Sequence, residues 1–529
     1  MNMGTFLSAG VYSREIDLSE IIPAVSTSSS AIVGASNRGS TAVQLMSNTQ
    51  QFINEYGKPE LGNYFHYSAL AYLARGSVLY CRRVVNGALY GGLKVMESTS
   101  GDSNVALGTG AITPDFATVS GEDILFYVFG KDQGEWNSQV SVAIENSVLA
   151  DFTFDIVVNY TDDAGVTAEA ERWTVSRKVQ TDGYGAQQYL EDKINGFSKY
   201  IVVADGPQAD TVMPKENATA IILGGGINGS APSDSDINIG WDDFANPDNI
   251  DIRILINGGE TSTTVQTKMK EIAETRKDCI AVLDIPDAQL TSVSAMTTWR
   301  NATQNFNSSY CALYTPWLKV NDQYNDKIVL LPPSGYIAGQ MAYNDAVADA
   351  WFAPAGFNRG LLNVLGVSNV FTQGDRDVLY SNGLNPIQMF RGEGISIWGQ
   401  KTQQKKASAL DRINVRRMLI VLEKAISIAL RSFVFEPNST LTRFRITAVI
   451  EEFLAKMAAR GAFQTEGGDI GYKVVCDTTN NTPAIIDSNE LKVDVFVKPS
   501  RTAEFIQLTT IVTKTGVSFQ ELIAQGTLI

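Results

Sequence analysis

The residues Gly224-Gly225-Gly226-Ile227-Asn228-Gly229 carry the G-x-G-x-x-G spacing that, in dinucleotide-binding folds, lets backbone approach a pyrophosphate. Such a site needs a helix to begin there, because its first amides hold the phosphates. The residues that follow, Ser230 to Asp236, read as a loop, so the spacing is expected to be a turn and not a cofactor cradle. Asp234, Asp236, Asp242 and Asp243 lack the alternate-position spacing of a calcium loop. His66, among Tyr64, Phe65 and Tyr67, is the single histidine, which removes multi-histidine metal centres and most histidine-activated nucleophiles. Cys81, Cys279, Cys311 and Cys476 lie far apart with no C-x-x-C pair and are expected to be buried, reduced thiols. No catalytic, cofactor-binding or metal-ligating set emerges, so none of this chemistry identifies an enzyme.

Charge is more informative. The chain has 529 residues and a net charge of −15, which argues against a general nucleic-acid binder. Residues 401–460 nevertheless hold twelve Lys and Arg against five Asp and Glu, a basic module in an acidic chain. Within it Val415, Met418, Leu419, Leu422, Ile426, Ala429 and Phe433 fall at the spacing of a helix with one buried face. Arg417, Lys424 and Arg431 recur every seven residues and therefore share another face. A solvated face and a surface for a negatively charged partner both fit that row; few interleaved aromatics and no recognition motif count against nucleic acid. The most apolar long run, Met418 to Phe435, is broken by Glu423, Lys424 and Arg431, so no membrane span is expected. The N-terminus shows no basic-then-apolar leader pattern.

The elements around this helix suggest an α/β and α+β multidomain chain. Residues 1–25 read as an arm too poor in apolar residues to fold alone. Residues 26–87 read as strand, helix, helix, strand, the first part of an α/β core, with Ala31-Ile32-Val33-Gly34 a buried strand. From 88 to 206 short alternating strands and Gly, Asp and Asn turns indicate a β-rich insertion. Strands and helices alternate again over 207–354, favouring a sheet covered on both faces. Residues 355–512 are expected to close as α-α-β-β-β, with Leu491, Val493, Val495 and Val497 on one face of a strand and Phe505 to Val512 as the third. Residues 513–529 form a second arm.

Several ordered motifs resemble one family. They are Gly10-Val11-Tyr12 after Ser8-Ala9, Ala31-Ile32-Val33-Gly34, Arg38-Gly39, and Ser47 with Phe52, Tyr56 and Gly57. Later come Trp398-Gly399, Ile413-Asn414-Val415-Arg416-Arg417, Phe435-Glu436-Pro437-Asn438, Phe453-Leu454, Val475-Cys476-Asp477 and Glu504-Phe505-Ile506. The chain resembles the tail sheath proteins of contractile bacteriophages, which are related to sheaths of contractile injection systems. Ala9 departs from the family's usual Pro, and the 88–206 insertion carries no matching motif.

The resemblance implies a structural protein, not an enzyme, without cofactor. Subunits would stack as six-fold rings around an inner tail tube, with a baseplate and a tail terminator at the ends. The sleeve would contract to drive the tube through the host envelope, in a virion tail assembled in the host bacterial cytoplasm. It implies that an arm containing Gly10, Val11, Tyr12 and Ile16 joins subunits, and that a sheet containing Val493, Val495, Val497, Phe505 and Ile506 accepts or donates strands. Arg417, Lys424 and Arg431 would face the tube, while Trp398, Gly399, Asn414, Arg416, Glu436, Pro437 and Asn438 would be structural. No direct nucleic-acid contact or membrane insertion is implied. A baseplate or capsid subunit, and a nucleotide-binding α/β enzyme, are the alternatives.

Overall fold

The computed structural model describes residues 28–505, apart from 109–113, 115–120, 122, 149, 150, 163, 218 and 466. Its centre is a nine-stranded sheet. Six strands in the middle run parallel, in the order Leu384–Phe390, Cys311–Thr315, Ile280–Asp284, Ile254–Ile256, Ser30–Ala35 and Leu79–Val84. Ile254–Ile256 and Ile280–Asp284 are buried throughout, the pattern of strands with both faces covered. Helices Tyr64–Leu73 and Ser334–Val347 pack on one face through Phe65, Ala69, Tyr72, Ile337 and Met341. Helices Asp234–Asp242 and Thr263–Arg276 cover the other through Trp241, Val265, Met269 and Ile272. The sheet ends in short antiparallel strands, Gln44–Met46 on one side and Gly394–Ile397 with Leu361–Leu362 on the other. A boundary at 355 therefore cuts the sheet: residues through Ile397 complete the α/β core.

The insertion is a sandwich of two four-stranded antiparallel sheets. Phe126, Val128, Val142, Ile144, Phe154, Ile156 and Val158 fill the space between them, each essentially removed from water. One of its strands, Ile221–Ile222, lies past residue 206 and pairs with Val140–Val148, so the sandwich extends beyond the expected end.

Downstream, helices Ile413–Leu430 and Thr440–Ala459 pack through Met418, Leu422, Ile426, Ile446, Ile450 and Leu454. A two-stranded sheet, Tyr472–Val475 with Asp494–Val497, closes this module. Phe505, expected to open a third strand, is described but lies in no strand. The arm residues Gly10, Val11, Tyr12 and Ile16, together with Ile506 and the 513–529 segment, lie outside the described residues.

Candidate assembly surface

The long helix Ile413–Leu430 enters the molecule buried on all sides: Ile413, Asn414, Val415, Arg416, Arg417 and Met418 each keep no more than 5% exposure. Its polar side chains find partners there. Asn414 Nδ2 donates to the Trp351 carbonyl at 3.2 Å. The Arg416 guanidinium lies over the Tyr310 ring, 4.2 Å from its centre, and donates to Ser309 Oγ at 2.6 Å. Arg417 reaches across to the helix Ser334–Val347 and grips both oxygens of buried Asp345 at 2.9 and 2.5 Å.

The basic row is thus corrected. Arg417, Lys424 and Arg431 do share a face, but that face meets a matching row of carboxylates on the α/β core. Lys424 Nζ sits 3.0 Å from Asp278 and 3.3 Å from Asp251, beside Arg253 and Arg276. Only Arg431 is largely in water, with Asp248 3.8 Å away. The row is a docking seam within the subunit, and buried pairs of this kind leave a costly lone charge when one partner is removed.

The loop after the helix leads through Phe435, a bulky residue at φ 73° with its side chain wholly exposed. In the Glu436-Pro437-Asn438 turn, Asn438 Oδ1 accepts from Arg443 Nη1 at 2.8 Å and its Nδ2 donates to the Glu490 carbonyl at 2.9 Å. The turn thereby ties the helix pair to the segment that leads into strand Asp494–Val497. That strand and Tyr472–Val475 are paired from Tyr472↔Val497 to Val475↔Asp494, and among the described residues no third strand pairs with either. Val495, Val497 and the preceding Val493 pack on the helices yet stay half-buried, while Phe496 points outward at 59% exposure. An isolated two-stranded ribbon is marginal in water, and neither side of this one pairs with a further strand among the described residues.

Trp398 and Gly399 belong instead to the core. The Trp398 ring packs with Phe357 and Phe390, centroids 5.0 and 4.5 Å away. A Cβ on Gly399 would come within 2.9 Å of Asn385 Oδ1.

The residues with chemistry-like spacing each make specific contacts within the fold. Gly224 exchanges backbone hydrogen bonds with Gly92 at 2.8 and 3.1 Å, and a Cβ there would meet the Leu107 carbonyl at 2.5 Å. The glycines let two chain segments cross at the root of the sandwich. A helix does begin soon after, at Asp234 and not in a loop, started by a capping box between Ser233 and Asp236. His66 is buried and hydrogen-bonded to Ser36 Oγ at 2.9 Å; burial and nearby Arg83 push its pKa down to about 4. Arg83 donates to the carbonyls of Ser36, Gly39 and Gln133, joining core and insertion. Asp284, held by Ser334 and Gly259, is pushed up to about 6 by burial. Burial also raises the Cys279 and Cys311 thiols to about 12, which makes them poor nucleophiles. Among the described residues no group of three or more His, Cys, Asp or Glu is placed to hold a metal ion, and no helix is long and apolar enough to cross a membrane.

Comparison with known proteins bears on this geometry. Residues 234–403 match the family model of the phage tail sheath protein central domain, and residues 405–513 that of the phage tail sheath C-terminal domain. The chain is 32% identical over 369 residues to the tail sheath protein of Enterobacteria phage T4, covering 66% of this chain and 54% of that protein. It is 32% identical over 336 residues to the tail sheath protein of Vibrio phage KVP40, covering 58% and 49%. It therefore spans about half the length of the curated relatives it matches. In fold it is similar to the crystal structure of a sheath tail protein from Desulfitobacterium hafniense, with a TM-score of 0.57 at 11% identity, covering 88% of this chain and 94% of that one.

Proposed function

Because the chain belongs to the phage tail sheath protein family, we propose that it polymerises as stacked six-fold rings into a helical sleeve around an inner tail tube, and that contraction of this sleeve drives the tube through the host envelope for genome delivery. The observation that carries the reading is the two-stranded sheet Tyr472–Val475/Asp494–Val497, which no further strand among the described residues extends and whose valines Val495 and Val497 stay half-buried. Strands donated by the arms of neighbouring subunits, residues 1–25 and 513–529, would satisfy those backbone groups and cover those valines. Contacts of this head-to-tail kind do not close on themselves and so propagate as a helix. Contraction is then a rigid-body rearrangement in which the arms keep subunits joined, driven by the new interfaces that form between subunits. A baseplate and a tail terminator bound the polymer in the virion tail, after assembly in the host bacterial cytoplasm. Of the basic row, Arg431 is the side chain exposed enough to reach the tube.

Electron microscopy of the purified full chain tests this. Long hollow helical tubes are expected, and deletion of residues 1–20 should abolish them while leaving a folded monomer. A uniform population of small globular particles that never polymerises contradicts the reading; unaltered tubes after the deletion contradict the role of the N-terminal arm.

A further inference from the structure

Glu504 stands near the end of the described chain, beyond the two-stranded sheet, yet its carboxylate is bound by the α/β core. Arg412 Nε donates to it at 2.7 Å, Gln400 Nε2 at 2.9 Å and Tyr380 Oη at 2.9 Å. The donors come from three places: the helix Gln373–Ser381, the stretch after strand Gly394–Ile397, and the residue that leads into helix Ile413–Leu430. Lys401 Nζ lies 4.4 Å over the Tyr380 ring and Arg412 lies 5.9 Å from its centre, with Asp411 Oδ1 3.0 Å from Arg412 Nη1, so two cations and one further carboxylate surround Glu504. The Glu504 side chain keeps only 16% exposure. Its neighbours differ: Arg501, Thr502 and Ala503 are exposed, and Phe505 is 81% exposed. The chain thus leaves the two-stranded sheet, crosses to the nine-stranded one, is held there at one carboxylate, and continues into residues 506–529.

We infer that Glu504 is a positioning residue that anchors the C-terminal segment to the α/β core, so that a second copy of this chain pulling on residues 506–529 loads the nine-stranded sheet and not the two-stranded one. The partner in this inference rests on the sheath reading. The mechanical reason is local. A two-stranded ribbon is only marginally stable by itself and so is a weak point at which to take a load. A carboxylate held by charge-assisted bonds from three core segments must instead give up all of them together.

The test compares the full-length wild type with Glu504→Gln and Glu504→Asp. Trypsin cleavage after exposed Arg501 reports whether the crossing segment is held, and sheared tubes report the load path. Glu504→Gln is expected to be cut roughly tenfold faster or more, since it loses a charged hydrogen-bond site whose opening limits cleavage. Its melting temperature should not change, its tubes should shed subunits under shear that wild-type tubes withstand, and Glu504→Asp should recover part of both. Equal cleavage rates overturn the anchor. Faster cleavage with tubes as shear-resistant as wild type overturns the load path. If the wild-type chain forms no tubes, the sheath reading fails, and the cleavage comparison still decides whether Glu504 holds the segment.

Discussion

The two sheets on either side of the long helix differ in how far a single chain completes them. The nine-stranded sheet has helices on both faces, and its edges are short strands of three and two residues, Gln44–Met46 and Leu361–Leu362, which offer little template for another chain. The C-terminal sheet has one covered face, a row of half-buried valines and, among the described residues, no third strand on either side. One is complete within the described residues; under the proposed assembly the other is completed by a neighbour. Under that proposal the division would let the subunit fold and stay folded while its links to neighbours are made and strained elsewhere. The seam of Arg417, Lys424 and Arg431 against Asp345, Asp278 and Asp248 holds the unfinished part to the finished one.

The sharpest way to break this arrangement is at its most buried link. Arg417→Ala removes both guanidinium hydrogen bonds from the Asp345 carboxylate, which keeps 3% exposure, and should cost about 3–5 kcal/mol in denaturant unfolding of the monomer. A cost below about 1 kcal/mol would mean the seam does not join the two parts.

Acid sensitivity should come next, and should lie on the finished side. The pKa of His66 is lowered to about 4 from 6.5, so its contribution is fully present above pH 6.5. As pH falls toward 4 the unfolded chain takes up this proton and the folded one does not, a loss of about 3 kcal/mol, and nothing further is lost below that. Asp284 and Asp132 act in the opposite sense: raised by burial to about 6 from 3.8, they contribute stability below pH 3.8 that disappears as pH rises through 6. His66→Asn should therefore subtract about one proton from the pH slope between 4 and 6.5, whatever pH-independent offset the smaller side chain leaves. Parallel wild-type and variant stability curves over that window would show that His66 titrates alike in both states.

The smallest effect belongs to the exposed end of the seam. Arg431→Glu should change monomer stability by no more than about 0.5 kcal/mol, because its ion pair with Asp248 is in water. A change as large as that of Arg417→Ala would mean the row is uniform and not graded from buried to exposed.

Much of the core was legible. Ala31-Ile32-Val33 and Ile280 to Leu283 are short apolar runs bounded by turn residues, and they are buried strands. The alternation placed Val493, Val495 and Val497 on one face, and these side chains pack on the helices, although the strand itself begins only at Asp494. The basic row was misread because heptad spacing says that side chains share a face, and nothing about what covers that face. The partners of Arg417 and Lys424 lie 72 and 146 positions away in sequence. The helix at Asp234 carried its own signal, Ser233 followed three residues on by Asp236, obscured by the glycines and proline before it. Glu504 stood out only as part of a motif, since its three donors are between 92 and 124 positions upstream. Long-range polar pairing of this kind leaves no periodic trace.

Amide hydrogen exchange at Val474, Val495 and Val497, measured in the monomer and in the assembled polymer, tests the central claim most directly. If the two-stranded sheet is completed by neighbouring subunits, these amides should exchange readily in the monomer and slow by roughly a hundredfold or more on assembly, while buried strand amides such as Val282 are strongly protected in both. Equal exchange at Val474, Val495 and Val497 in monomer and polymer would contradict the account.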